Sequence, residues 1–132
     1  MSVEGRFELG RRVLLYTLAG MVVFGLALTV LDNRAVPGPL HGLMNESLWG
    51  RPDLPADVVV YHRFMHAVLG ATIAGWALAL VFVVRHALAK KERWAWWCVL
   101  LSTLVWFVPD SAASLHYGVW PNALFNVACL AA

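Results

Sequence analysis

Residues 13–31 place the strongest constraint on the fold, because this run of 19 residues contains no charged side chain. As an α-helix it would be about 28 Å long, close to the roughly 30 Å thickness of the hydrocarbon layer of a membrane. Two further uncharged runs cover residues 67–84 and 94–109, and a shorter run covers residues 123–132. The pattern predicts a chain that crosses a membrane several times as α-helices.

The composition supports this fold class. Hydrophobic residues make up 61% of the chain and charged residues 14%, whereas soluble domains average about 45–50% and about 25%. We therefore predict an all-α polytopic integral membrane protein, a small four-helix transmembrane bundle in one domain of residues 1–132. The predicted helices cover about residues 12–32, 57–85, 94–116 and 122–132. The fourth is short or truncated, and we expect the native chain to extend beyond Ala132, because ten residues span about half a bilayer.

The first predicted loop, residues 33–56, contains four of the six prolines. Between these prolines, apolar residues follow helical spacing, and Gly50 provides a stop. This pattern predicts a short amphipathic helix on the outer membrane surface, with apolar positions at Leu40, Leu43, Met44 and Leu48.

The distribution of basic residues predicts the orientation of the chain. Arg6, Arg11 and Arg12 precede the first helix, and residues 85–93 contain four more lysines and arginines. Because short cytoplasmic loops carry the excess of lysine and arginine, we predict a cytoplasmic N-terminus in a bacterial-type inner or plasma membrane. The first and third loops then lie outside.

Most polar candidates fall in one layer near the predicted outer face. Asp110 lies at the same predicted depth as Arg63 and His66, and a carboxylate there needs a partner or water. This arrangement predicts either an interhelical bond that locks the bundle or a ligand pocket with Asp110 as acid, base or counter-ion. The other pocket candidates are His62, His116, Trp106 and Asn126.

His62 and His66 are four residues apart and therefore share one face of a helix. Two histidines at this spacing can bind a metal ion, with His116 or Asp110 completing the set. A b-type haem would instead use His66 and His116 on different helices. The simplest interpretation is that all these histidines bond to neighbours or water, so no cofactor is predicted. His41 and His86 are interpreted as solvated loop residues.

The second predicted helix contains small residues at four-residue spacing, Ala67, Ala71, Gly75 and Ala79, with Gly70 and Ala74 beside them. Small residues allow helices to approach closely in lipid. We expect this stripe to pack within the bundle, and packing against another subunit is the alternative.

Three classes of function remain open. The first is a non-catalytic accessory or structural subunit of a larger membrane assembly. The second is a lipid- or apolar-ligand-binding protein, or an acid/base enzyme, with an outer-leaflet pocket around Asp110. The third is a haem- or metal-binding membrane protein. Expected partners are the lipid bilayer and other membrane subunits or further copies of the chain, with no nucleic acid.

The predicted architecture resembles the four-helix domain of sterol isomerases and related ligand-binding membrane proteins. The resemblance lies in the helix count and in scattered acidic, histidine and tryptophan residues. It implies an apolar ligand and isomerase-like chemistry, and no functional residue is carried over from it.

Overall fold

The computed structural model describes residues 2–31 and 38–131. Within these ranges the chain is helical and contains no strand, which confirms the predicted all-α class. The five α-helices are α1 (Val3–Leu31), α2 (Gly38–Trp49), α3 (Ala56–Phe82), α4 (Arg93–His116) and α5 (Trp120–Ala131). The first part of the predicted outer loop, residues 32–37, and the last residue, Ala132, lie outside the described residues.

In the part of the chain that the structure describes, three helices are long and apolar enough to cross a membrane: α1, α3 together with its continuation to Lys90, and α4. Each exposes large apolar side chains, among them Val23 (68% exposed), Phe64 (63%) and Val105 (72%). Water disfavours such a surface and lipid accommodates it. The structure therefore agrees with a helical membrane protein.

The helix ends follow local sequence signals. The Ser2 Oγ accepts a hydrogen bond from the Gly5 amide at 3.1 Å and caps the start of α1. Gly50 ends α2 with a φ of 65°, and its amide donates to the Glu46 carbonyl. Gly118, with a φ of 73°, turns the chain from α4 into α5. Positive φ values of this kind favour glycine.

The α3 helix continues beyond Phe82 through a π-helical turn, Val83–Ala87, and a 3₁₀ turn, Leu88–Lys90. Lys91 follows with a φ of 59°. Its Nζ forms a salt bridge with Glu4 Oε1 at 2.9 Å, which joins the α3–α4 turn to the start of α1. We call this end of the molecule the basic end, because it contains Arg11 and Arg12 of α1 and the lysines of the α3–α4 turn.

The α1 and α3 helices form the closest helix pair, and glycines permit the contact. A Cβ built on Gly70 would lie 2.5 Å from the Gly25 carbonyl oxygen, and one on Gly25 would lie 2.5 Å from the Gly70 carbonyl oxygen. Thr29 Oγ1 donates to the carbonyls of Gly25 and Ala67, at 2.9 and 3.3 Å. The two backbones are therefore in direct contact.

The face of α3 that packs against α1 is not the predicted stripe of small residues but the face beside it. Ala71, Gly75 and Ala79 are exposed. The buried face of α3 is formed by the neighbouring residues Gly70, Ala74, Ala77 and Leu80. Gly70 accounts for the choice of this face, because it lies opposite Gly25, where a side chain would prevent the close approach of α1 and α3.

At the other end of the molecule, the short helices come together with the long ones. The α5 helix packs against α4 and α2, and Phe125 approaches Phe24 of α1 with ring centroids 6.4 Å apart. The α3 and α4 helices meet through Trp76 and Trp106, whose centroids are 6.2 Å apart. We call this the histidine end, since it contains the three histidines described next.

Candidate functional site

Three histidines from two helices lie side by side at the histidine end. His41 is on α2, and His62 and His66 are one turn apart on α3. Each offers one ring nitrogen, these nitrogens lie within 4.8 Å of one another, and all three residues are half-buried. We call this group the histidine triad. The ring centroids are 4.2 Å apart for His62 and His66, 5.1 Å for His41 and His62, and 6.0 Å for His41 and His66.

The ring of His41 is positioned by Asn45, which is 3% exposed. The Asn45 amide nitrogen donates to the Pro52 carbonyl at 2.9 Å and lies 3.2 Å from His41 Nδ1. The other ring nitrogen, Nε2, is buried and has no hydrogen-bond partner among the described residues. A buried polar atom without a partner is rare in folded proteins, and an ion or a water molecule is a common explanation.

The triad forms one wall of a cavity of about 330 Å³. The opposite wall comes from the end of α4, the turn that follows it and the start of α5. Among the described residues that line the cavity there is no carboxylate and no thiol. They are His41, Met44, Asn45, Leu48, His62, His66, Ala113, Ser114, Tyr117, Val119 and Asn122.

Asp110 lies directly behind this second wall. Its Oδ1 accepts hydrogen bonds from Asn122 Nδ2 at 2.9 Å and from Ser114 Oγ at 3.3 Å. Asn122 Nδ2 also donates to Ser114 Oγ at 2.8 Å, and both Asn122 and Ser114 line the cavity. The bond from Asn122 therefore joins α5 to the Asp110 carboxylate of α4, while the Ser114 hydroxyl donates mainly to the Asp110 backbone carbonyl, at 2.8 Å.

Removal of the Asp110 carboxylate should loosen the α4–α5 contact. Asp110→Ala removes the carboxylate that accepts from Asn122, whereas Ser114 keeps its 2.8 Å bond to the backbone carbonyl of residue 110, so we expect a loss of about 1 kcal/mol in the free energy of unfolding. Asp110→Asn keeps an acceptor oxygen and should lose less than half of that. Unfolding in mixed detergent micelles measures both variants. Equal stability of wild type and Asp110→Ala would contradict this structural role.

The other residues predicted for the site occupy different surroundings. His116 is exposed, with its ring against Tyr117 at a centroid distance of 5.0 Å. Trp106 packs on Trp76. Asn126 is 1% exposed and donates to Ser111 Oγ at 3.3 Å, a second polar link between α4 and α5. Arg63 is exposed on α3, next to His62.

The interpretation of His41 as a solvated loop residue is wrong, because the residue is half-buried in the triad. A local signal was present in the sequence. His41, Asn45 and Leu48 are spaced i, i+4, i+7 and therefore lie on one face of α2. His41 and Asn45 are polar residues on the otherwise apolar face of this predicted helix. Such a pair indicates that the face packs against another polar group.

Three imidazoles from two helices are a suitable donor set for a first-row transition-metal ion. Neutral imidazole binds Zn, Cu, Fe and Ni, whereas Mg and Ca require oxygen ligands. A tetrahedral ion about 2.0–2.1 Å from each nitrogen would bring the nitrogens to about 3.3 Å from one another, so binding requires side-chain shifts of about 1–2 Å. No family model, curated protein or solved structure matches this chain, and inference of its function therefore starts from this site.

Proposed function

We propose that this protein is a multipass membrane protein that binds one first-row transition-metal ion at its histidine end. The ligands are His41, His62 and His66. The cavity beside the triad gives the ion access to the surface and leaves space for a further ligand. This proposal selects the third of the function classes that the sequence left open.

The observation that carries the proposal is the convergence of three imidazoles from two helices. His62 and His66 would be adjacent on any helix, but His41 reaches them only because α2, which packs against α5, brings its ring beside theirs. Binding through His41 Nε2, which has no hydrogen-bond partner among the described residues, requires the tautomer with the proton on Nδ1, so the Asn45 amide nitrogen would have to turn away from that atom. A set of interfacial histidines bonded to water would not need this convergence.

The ring positions favour a single ion over a haem. Axial histidines of a haem lie on opposite faces of the macrocycle. The rings of His62 and His66 and those of His41 and His62 are too close for a porphyrin between them, at 4.2 and 5.1 Å, and His62 lies beside both members of the remaining pair.

We further propose that α1, α3, α4 and α5 form a four-helix bundle in the membrane, with the basic end on the cytoplasmic side. The lysines and arginines of α1 and of the α3–α4 turn support this orientation. The triad then lies near the outer membrane surface. His62 precedes Leu88 by about 39 Å of helix, which exceeds the roughly 30 Å hydrocarbon thickness.

Metal content tests the proposed function directly. The full chain, purified in mild detergent, stripped with a chelator and dialysed against buffered Zn(II) or against Cu(I) under reducing conditions, should retain about one ion per chain. A variant with alanine at His86 and His116, the two histidines outside the triad, should retain the same amount. A wild-type protein that retains no ion under either condition would overturn the proposal.

The two other function classes stay predictions from the sequence. An accessory subunit is compatible with a metal site, and the exposed small residues Ala71, Gly75 and Ala79 offer a face for another helix. An acid/base enzyme centred on Asp110 would have to act through Asn122 and Ser114, because these residues separate the carboxylate from the cavity.

A further inference from the structure

A second cavity, of about 360 Å³, lies at the basic end between the first turns of α1 and the first turns of α4. Leu88 lines it from the continuation of α3, which both helices contact. Lys91 holds the α1 wall in place, because its Nζ bonds Glu4 at 2.9 Å and lies 5.6 Å from the centroid of the Phe7 ring. The α1 wall of this cavity, which we call the basic groove, is therefore attached to the α3–α4 turn.

The lining of the basic groove changes from charged to apolar along its length. Arg6 and Arg11 line it on α1, and Leu14, about 12 Å of helix beyond Arg6, lies inside the first uncharged run. On α4, the lining begins at Trp96, a residue type enriched at membrane surfaces, and extends to Thr103, about 10 Å further along the helix. The groove therefore runs from the level of the arginines, at the membrane surface, to the level of the hydrocarbon.

The charged part of the groove carries an excess of positive charge. Residues 6–12 contain three arginines and one glutamate. Glu8 accepts hydrogen bonds from Arg11 Nε and Nη2, at 2.9 and 2.8 Å, and from Arg12 Nε at 3.0 Å, and Glu4 is paired with the α3–α4 turn. A guanidinium has five N–H donors, so Arg11 keeps donors beyond the two that it uses for Glu8. Because one carboxylate cannot balance three guanidinium groups, this segment attracts anions.

A phospholipid with an anionic headgroup matches both parts of the groove. Guanidinium groups bind phosphate oxygens through paired hydrogen bonds, and basic pockets between transmembrane helices bind the headgroups of anionic lipids. The apolar part favours a lipid over a free phosphate ion, since an acyl chain can pack along Leu14 and Leu100 and an inorganic ion cannot. The volume of the groove also lies in the range of small-molecule pockets, about 300–1,000 Å³.

We propose that the basic groove binds one phospholipid with an anionic headgroup, with its phosphate at Arg6 and Arg11 and one acyl chain along Leu14 and Leu100. The groove lies at the opposite end of the molecule from the histidine triad, and the proposal does not depend on metal binding. It predicts that affinity depends both on the charge of the headgroup and on the open space beside Gly10, which also lines the groove.

Native mass spectrometry of the full chain in mild detergent measures the affinity for the first bound lipid. Phosphatidylglycerol should bind at least about fivefold more tightly than phosphatidylcholine with the same acyl chains, and Arg6→Gln should remove this preference, because one nearby basic residue contributes about a factor of five. Arg12→Gln is the matched control. It removes the same charge and one bond to Glu8, but from a residue outside the groove lining, so the affinity should change less than about twofold.

Gly10→Leu tests the shape of the groove. A Cβ built on Gly10 meets no atom within 4 Å, so the helix accepts a side chain there, and the leucine fills space that the lipid would occupy. Affinity for phosphatidylglycerol should fall at least about tenfold. Gly20→Leu is the control on the same helix, because a Cβ on Gly20 also meets no atom within 4 Å and Gly20 lies outside the groove lining. This variant should bind the lipid as wild type does.

Equal affinity of the wild type for the two lipids, or unchanged affinity in Arg6→Gln, would overturn the proposal. Equal losses in Arg6→Gln and Arg12→Gln would also overturn it, because the attraction would then be a general effect of the basic end. Equal affinities in Gly10→Leu and Gly20→Leu would place the lipid elsewhere on the protein. Displacement of bound phosphatidylglycerol by millimolar inorganic phosphate would assign the groove to a free anion instead of a lipid.

Discussion

Replacement of His66 by alanine is expected to weaken metal binding about 100-fold or more. The loss of a group that only orients a metal ligand costs about 10–100-fold in affinity, and the loss of the ligand itself should cost at least the upper value. His66 is expected to be essential because it lies within reach of both His41 and His62. Competition with a chelator of known affinity measures the effect for Zn(II) and Cu(I).

Two further comparisons make this test specific to the triad. His41→Ala should weaken binding as strongly as His66→Ala, although the two residues lie on different helices. His86→Ala should leave binding unchanged, because His86 is exposed at the opposite end of α3, with its ring stacked on Phe82. Full metal affinity in His41→Ala would show that α2 contributes no ligand and would contradict the proposed site.

Acidic conditions should reproduce the same loss without any substitution. A proton and a metal ion compete for the same imidazole nitrogen, so affinity for the ion falls as the pH decreases. Three imidazole nitrogens compete for protons in wild type, so the decrease should be steeper than in a variant that retains two of the three histidines.

The sequence predicts the fold class well, because long uncharged runs are continuous in the chain and do not depend on tertiary contacts. A run of 19 uncharged residues can hardly be placed anywhere except in a membrane or a large core. The stops at Gly50 and Gly118 are also local, since both adopt positive φ. The rotation of α3 about its own axis was not predictable from the stripe of small residues, because it depends on where Gly25 of another helix makes contact.

The candidate site was predictable only in part. The pair His62 and His66 follows from spacing along one helix, and so does the position of Asp110 near Ser114. The approach of His41 to His62 and His66 depends on the packing of α2 against α5, which is a tertiary contact and does not follow from spacing along one helix. The sequence predicts that the partner of Asp110 lies on α3, at Arg63 or His66. In the structure, the Asp110 carboxylate instead accepts a hydrogen bond from Asn122 on α5, beyond the turn at Gly118. Residues brought together by tertiary packing were the ones missed.

Gly70→Ala is expected to destabilise the protein strongly, because the added methyl group would separate α3 from α1. The added Cβ would lie 2.5 Å from the Gly25 carbonyl oxygen, 2.7 Å from Thr29 Oγ1 and 2.8 Å from the Thr29 amide nitrogen. Two of these three atoms belong to the backbone of α1 and cannot move away by a side-chain rotation. The helices must separate, so we expect a loss of about 3 kcal/mol or more in the free energy of unfolding.

Gly75→Ala provides the matched control on the same helix. A Cβ at Gly75 meets no atom within 4 Å. Alanine also has a higher helix propensity than glycine, so this variant should be neutral or up to about 1 kcal/mol more stable. Unfolding of the two variants in mixed detergent micelles, followed by circular dichroism, separates the effect of contact from the effect of propensity.

Gly25→Ala should be as harmful as Gly70→Ala, since its added Cβ would lie 2.5 Å from the Gly70 carbonyl oxygen. The two effects should not add. Once one methyl group has separated α1 from α3, the second occupies space that is already open, so the double variant should lose less than the sum of the two single losses. Additive losses would mean that the glycines act at separate contacts, and wild-type stability in either single variant would mean that α1 and α3 do not touch there.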